Sequence, residues 1–208
     1  MNLVLCEGKE DKLVMEALAA HLGIASDLIF ESHDSADRLR SNLLNLRSQG
    51  RFAAGELRNV LVTRDADSSP NDTWTALSSA VREIFGIRCD LPGTWEATPQ
   101  GPRIAAWLIP GIAQTGMIET LCMSSARDTR PEMFGCLDSF VECLQNHRGA
   151  EVHPKEIFAY WTICAQDRDP RKRLSLERAL SHLPFNWNHP AFEGLSGMLR
   201  KTVSGAES

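Results

Sequence analysis

The strongest constraint on this chain is a repeated pattern: a short apolar run, then a stretch with apolar residues three and four apart. Residues 2–6 (Asn-Leu-Val-Leu-Cys) read as a short buried strand and Glu7-Gly8-Lys9 as a turn. Residues 11–21 then predict a helix, with Leu13, Val14, Ala17 and Leu18 at helical spacing. Gly23 suits a helix C-cap, and residues 28–30 predict a second strand. Residues 36–48 give an amphipathic helix carrying Leu39, Leu43, Leu44 and Leu46. Residues 59–63 (Asn-Val-Leu-Val-Thr) predict a third strand that runs straight into Arg64-Asp65-Ala66-Asp67. A turn over 68–72 leads to a helix over 73–85, and residues 91–102, with three prolines and two glycines, read as a loop. Residues 104–109 predict a fourth strand, closed by Pro110-Gly111, and a helix starts over 117–123.

Parallel strands need crossovers, and the crossover helices cover the sheet faces. The expected fold class is therefore α/β: a mostly parallel, Rossmann-like sheet flanked by helices. From Pro131 onward only helical patterns remain, near 131–146, 154–165, 174–182 and 190–201. The expected organisation is an α/β domain over 1–128, a helical appendage packed on it over 129–203, and a frayed tail over 204–208. The sequence contains no internal repeat and no low-complexity segment.

Composition narrows the function classes. The chain has 208 residues, 43% of them hydrophobic, enough to bury a sizeable core. The opening apolar run is interrupted by Glu7 and has no basic flank, so a signal peptide is not expected. No apolar stretch approaches the roughly 20 residues needed to cross a bilayer. The expectation is a cytoplasmic protein that does not enter the membrane. The cysteines at 6, 89, 122, 136, 143 and 164 form no Cys-x-x-Cys pair, which disfavours a zinc ribbon and fits reduced thiols. The six histidines show no His-x-x-x-His spacing. A net charge of −5 counts against tight, autonomous nucleic-acid binding through phosphate neutralisation. It leaves room for an acidic site that gains its positive charge from divalent ions.

The chemistry-bearing residues sit where an open α/β sheet places its site, beyond the carboxyl ends of strands. Glu7 follows the first strand, Asp65-Ala66-Asp67 follows the third, and Glu119 opens the helix after the fourth. Clustered carboxylates resist joint ionisation unless a cation compensates them. All-oxygen ligation selects a hard ion, Mg2+ or Mn2+. Each acid alone has a simpler explanation, a solvated turn for Asp-x-Asp and a helix-capping acid for Glu7. Their order along the strand–helix alternation makes a shared site the better one.

That order resembles the TOPRIM domain of topoisomerases, bacterial primases, small maturation nucleases and OLD (overcoming lysogenization defect) nucleases. The matching stretches are Val4-Leu5-Cys6-Glu7-Gly8-Lys9-Glu10-Asp11-Lys12 and Val60-Leu61-Val62-Thr63-Arg64-Asp65-Ala66-Asp67. The resemblance covers roughly residues 2–125. A group of short standalone TOPRIM/OLD-related proteins is similar over nearly the whole chain. Trp107-Leu108-Ile109-Pro110, Gly116-Met117-Ile118-Glu119 and Asn188-His189-Pro190-Ala191-Phe192-Glu193-Gly194-Leu195 carry that likeness. An Asp-Asn pair expected after the proline reads Gly111-Ile112 here.

The resemblance implies a TOPRIM-like fold and a metal-dependent nuclease acting on DNA or RNA. Glu7, Asp65, Asp67 and Glu119 would hold Mg2+ or Mn2+, with Glu7 a ligand or general base and Lys9 stabilising phosphate charge. Lys9, Lys12 and Arg64 are the candidate nucleic-acid contacts; the alternatives for Arg64 are pairing with Asp65 or, as the residue before the motif on a strand, pointing the other way. The resemblance further implies an ATPase partner and a role in phage defence, with homo-oligomerisation open. No Gly-x-x-x-x-Gly-Lys-Ser/Thr is present to supply an ATPase in the chain itself. The competing expectation is a non-catalytic TOPRIM-like interaction or regulatory subunit, motivated by Gly111-Ile112 and the net charge of −5. The run Asp167–Arg173 reads as a solvated charged loop, with Arg171-Lys172-Arg173 as a secondary contact.

Overall fold

In a computed structural model, the structure describes residues 1–33, 38–99, 101–111, 113–165, 176–183 and 185–205. The fold is α/β, with a five-stranded sheet in the order β2-β1-β3-β5-β4. The strands are β1 (Asn2–Cys6), β2 (Leu28–Ser32), β3 (Asn59–Asp65), β4 (Glu96–Ala97) and β5 (Arg103–Ile109). The pairs β1·β2, β1·β3 and β3·β5 are parallel. Only β4 runs antiparallel, pairing Glu96 with Ile104 and Ala97 with Arg103.

The parallel strands alternate their side chains between two faces, both largely buried at β1 and β3. Val4 and Cys6 of β1, Leu61 of β3 and Ala105 of β5 face one core. Leu3 and Leu5, Val60 and Val62, and Ile104 and Ala106 face the other. The first core is closed by α1 (Lys9–His21), α5 (Ile118–Thr129), α6 (Pro131–Arg148), α7 (Pro154–Cys164) and α9 (Glu193–Ser204). The second is closed by α2 (Leu39–Ser48), α3 (Gly50–Ala53) and α4 (Pro70–Phe85). Fully buried side chains such as Leu18, Leu61 and Leu77 each contribute about 1.5–3 kcal/mol of burial.

Past β5 the described residues form helices and turns, including α8 (Leu176–His182). An aromatic chain runs through this part, from Phe134 and Trp161 through Phe185 and Trp187 to Phe192. Helix α9 lies back across the sheet. Asn59 Nδ2 donates to Thr202 O at 2.9 Å, and Arg103 Nη1 donates to Gly205 O at 2.6 Å.

Several boundaries differ from the sequence reading for local reasons. Helix α1 starts at Lys9 because Gly8 is its N-cap, with the Gly8 N–H donating to Asp11 Oδ2 at 2.6 Å. Helix α4 starts at Pro70, a residue whose missing N–H costs nothing in the first turn. The region read as a loop over 91–102 contains β4, a two-residue strand too short to show alternation. The run Asp167–Arg173, Ile112 and the end of the expected tail at 206–208 lie outside the described residues.

Candidate acidic site

The strand order sets the location of the site. From β1 the chain moves to β2 on one side, and β3 then lies on the other. The crevice beyond the carboxyl ends of β1 and β3 is therefore the topological switch point of the sheet, where open α/β sheets bind ligands. Glu7 leaves the end of β1 and Asp65 is the last residue of β3. The Asp65 backbone N–H donates to Glu7 Oε2 at 3.1 Å, which fixes the Glu7 side chain across the gap.

Asp65 is buried, and its Oδ1 accepts from the backbone N–H of Ile118 at 3.1 Å. Ile118 is the first residue of α5, so the open N–H end of that helix points at a site carboxylate. One residue further, Glu119 is only 2% exposed. Among the described residues, its Oε2 has no hydrogen-bond partner, a costly condition for a buried oxygen. The structure thus sets Glu7 and Glu119 each within electrostatic reach of Asp65, from three elements.

Asp67 behaves differently from Asp65. It is exposed at φ 52°, and its backbone pairs with Gly116, N to O at 2.9 Å and O to N at 2.8 Å. It sits at the rim, near enough for its charge to push Glu7 upward in pKa. The bridge to Gly116 holds the loop before α5 against the end of β3. Of the two positions where Asp-Asn was expected, Gly111 forms a bridge with Gln114.

Two site residues were missed by the sequence reading. Asp11 is 4% exposed in the first turn of α1, folded back on Gly8. An acid in the first turn of a helix is by itself ordinary helix-dipole chemistry, so nothing in the sequence singles Asp11 out. The second is Lys155 in the first turn of α7, whose ammonium lies 3.7 Å from Glu10 Oε2 and 3.9 Å from Glu119 Oε1. No local pattern announces a contact between elements so far apart in the chain.

The candidate basic residues are dispersed. Lys9 is exposed on the first turn of α1. Lys12 pairs along the helix with Glu16 at 3.7 Å. Arg64 pairs with Glu7 at 3.7 Å and not with Asp65, because it precedes Asp65 on an alternating strand.

Burial and mutual repulsion dominate the electrostatics. Asp65 is pushed up to about 9, first by burial and then by the charges of Asp11, Glu7 and Glu119, with Lys155 opposing. Glu119 rises to about 7, chiefly by burial, with Lys155 pulling it down and Glu10 and Asp11 pushing it up. Asp11 rises to about 6 by burial, although the Gly8 N–H holds it down. Glu7 is raised by burial against the Asp65 N–H and Arg64. For Lys155, burial works against the charge, but Glu119, Glu10, Asp65 and Asp11 together hold the ammonium above its ordinary range. The cluster is short of positive charge.

The donor set is all oxygen, which fits a hard divalent ion in kind. The buried, unpartnered Glu119 Oε2 supplies a lone pair that nothing else in the described residues uses. As the side chains stand, no group of three or more His, Cys, Asp or Glu among the described residues is close enough to hold an ion.

Fold and site together define an α/β protein with a mostly parallel sheet and a buried acidic cluster at its switch point. The chain belongs to the family described as protein of unknown function (DUF3226), whose model matches residues 1–204. No curated protein and no solved structure matches the chain. Among the described residues, no helix is long and apolar enough to cross a membrane.

Proposed function

We propose that the acidic cluster is a TOPRIM-like divalent-metal centre and that the protein hydrolyses phosphodiester bonds in DNA or RNA. The observation that carries this reading is the burial of Asp11, Asp65 and Glu119, at 4%, 5% and 2% exposure, around the switch point. Three buried acids with, among the described residues, the Lys155 ammonium beside them are an expensive arrangement for stability alone. A bound cation turns that cost into affinity.

Asp65 and Glu119 are the core ligands of the proposed centre, with Asp11 and Glu7 closing it and Asp67 reaching in from the rim. Mg2+ or Mn2+ bound there would neutralise phosphate charge and polarise the reacting phosphoryl oxygen. Glu7 Oε2 is occupied by the Asp65 N–H, which leaves Oε1 to take a proton from the attacking water. Exposed Lys9 lies on the turn beside Glu7 and serves as the phosphate contact. The same reading carries a nucleic-acid substrate, an ATPase partner and an OLD-like role in phage defence.

Purified protein with Mn2+ is expected to cut plasmid or single-stranded substrates. The Asp65→Asn protein should lose at least about a hundred-fold of the rate. Equal cutting by the variant would place the activity elsewhere.

One observation favours a second role, a non-catalytic interaction module. The described side chains do not already converge in threes on a point that could hold an ion. Millimolar Mn2+ producing neither binding heat nor cleavage would select that role.

A further inference from the structure

Among the described residues, the ammonium of Lys155 leans into the acidic cluster from the C-terminal helices, while Arg64 pairs with Glu7. Lys155 is the second residue of α7, and its ammonium spans carboxylates on two other helices, Glu10 on α1 and Glu119 on α5. Neither contact is a close hydrogen bond: the separations are 3.7 Å and 3.9 Å. Lys155 faces Glu119 Oε1, and the other carboxylate oxygen, Oε2, is buried without a hydrogen-bond partner among the described residues. The Lys155 side chain is 50% exposed, and its flexible four-carbon stem lets the ammonium leave without disturbing α7.

We propose that Lys155 is a built-in counter-cation of the acidic centre, which a divalent ion displaces when it binds. This rests on the reading of the cluster as a divalent-ion site. A divalent ion brings twice the charge and contacts carboxylate oxygens at about 2.1 Å, far closer than the ammonium stands. It therefore outcompetes Lys155 for Glu119, and the two positive charges then repel. Without the ion, Lys155 limits repulsion among Glu10, Asp11, Asp65 and Glu119. With the ion bound, the released ammonium stands at the mouth of the site while α7 keeps its place.

Calorimetric titration of Mn2+ into the wild-type, Lys155→Met and Lys155→Arg proteins tests this. Removing the competing charge is expected to tighten Mn2+ binding about ten-fold, equivalent to about 1.4 kcal/mol. Lys155→Arg, which keeps the charge, should stay near wild type. Binding by Lys155→Met but not by wild type would support displacement more strongly still. If wild type and Lys155→Met bind Mn2+ equally, or the variant binds more weakly, displacement is overturned while the metal reading stands. If none of the three proteins takes up Mn2+, both fall. Lys155→Met replaces a half-exposed side chain, and circular dichroism of the variant checks that the fold is retained.

Discussion

The Asp65 backbone N–H donates to Glu7 Oε2 at 3.1 Å, so the ends of β3 and β1 are joined by a side chain of the site itself. The same residue, through Oδ1, accepts from Ile118 N at 3.1 Å and so also anchors the start of α5. Asp65 is thus the node through which the three segments bearing Glu7, Asp65 and Glu119 are held together. Its charge is opposed by Asp11, Glu7 and Glu119, which makes it costly to keep.

That cost predicts a trade between stability and function. Asn at position 65 keeps an oxygen for the Ile118 N–H and removes an acid that burial and three like charges disfavour. Without metal, Asp65→Asn should be more stable than wild type at neutral pH by at least about 1 kcal/mol. Urea denaturation in EDTA measures this, and a variant less stable than wild type would show that the carboxylate is structurally required.

The pH dependence of stability follows from the same groups. The folded state raises Asp11 to about 6, Glu119 to about 7 and Asp65 to about 9, all above their unfolded values. Folding therefore favours the protonated forms. The stabilisation is fully present below the unfolded carboxylate values and is lost as pH rises through the folded ones. Metal-free protein should lose up to about 1.4 kcal/mol per pH unit for each group still titrating, with the loss complete near pH 9. Mn2+ should flatten that slope by replacing protons. Thermal melts from about pH 5 to about pH 9, with EDTA and with Mn2+, give both curves.

Gly116 is expected to tolerate no side chain. Its φ is 125°, and an added Cβ would stand 2.6 Å from Thr120 Oγ1, the hydroxyl that accepts from Met117 N. Gly116→Ala should cost about 1–3 kcal/mol and disturb the backbone that presents Ile118 N to Asp65. Denaturation and Mn2+ affinity should fall together; unchanged values for both would mean that this loop does not position the site.

Thiol labelling tests the fold without any assumption about function. Cys6, Cys89 and Cys122 are buried, while Cys136, Cys143 and Cys164 are exposed. Burial also pushes the Cys6, Cys89 and Cys122 thiols up in pKa, so they are poor thiolates. A chromogenic disulfide reagent should label Cys136, Cys143 and Cys164 on the native protein and the remaining cysteines only after unfolding. Rapid native labelling of Cys122 would contradict the packing of α5.

The sheet was legible because β1, β3 and β5 are buried on both faces and so appear as continuous apolar runs ending in turn residues. The edge strand β4 was not, since Glu96 and Ala97 carry no period that a pattern can register. Glu7, Asp65 and Glu119 could be named from their places after strands, and the structure sets them together. Asp65 and Asp67 looked equivalent in sequence, yet one ends a buried strand and the other turns outward at φ 52°. Asp11 was hidden by its likeness to any first-turn helix acid. Lys155 was beyond reach because only the packing of α7 against α5 and the ion pair to Glu10 on α1 give it a role.

The central claim is that these carboxylates form one cation site, and the most direct measurement is anomalous diffraction from crystals soaked in Mn2+. An ion bonded to Asp65 and Glu119 together, at about 2.1 Å, is the predicted result. Crystals that leave those two carboxylates without an ion at millimolar Mn2+ would contradict it.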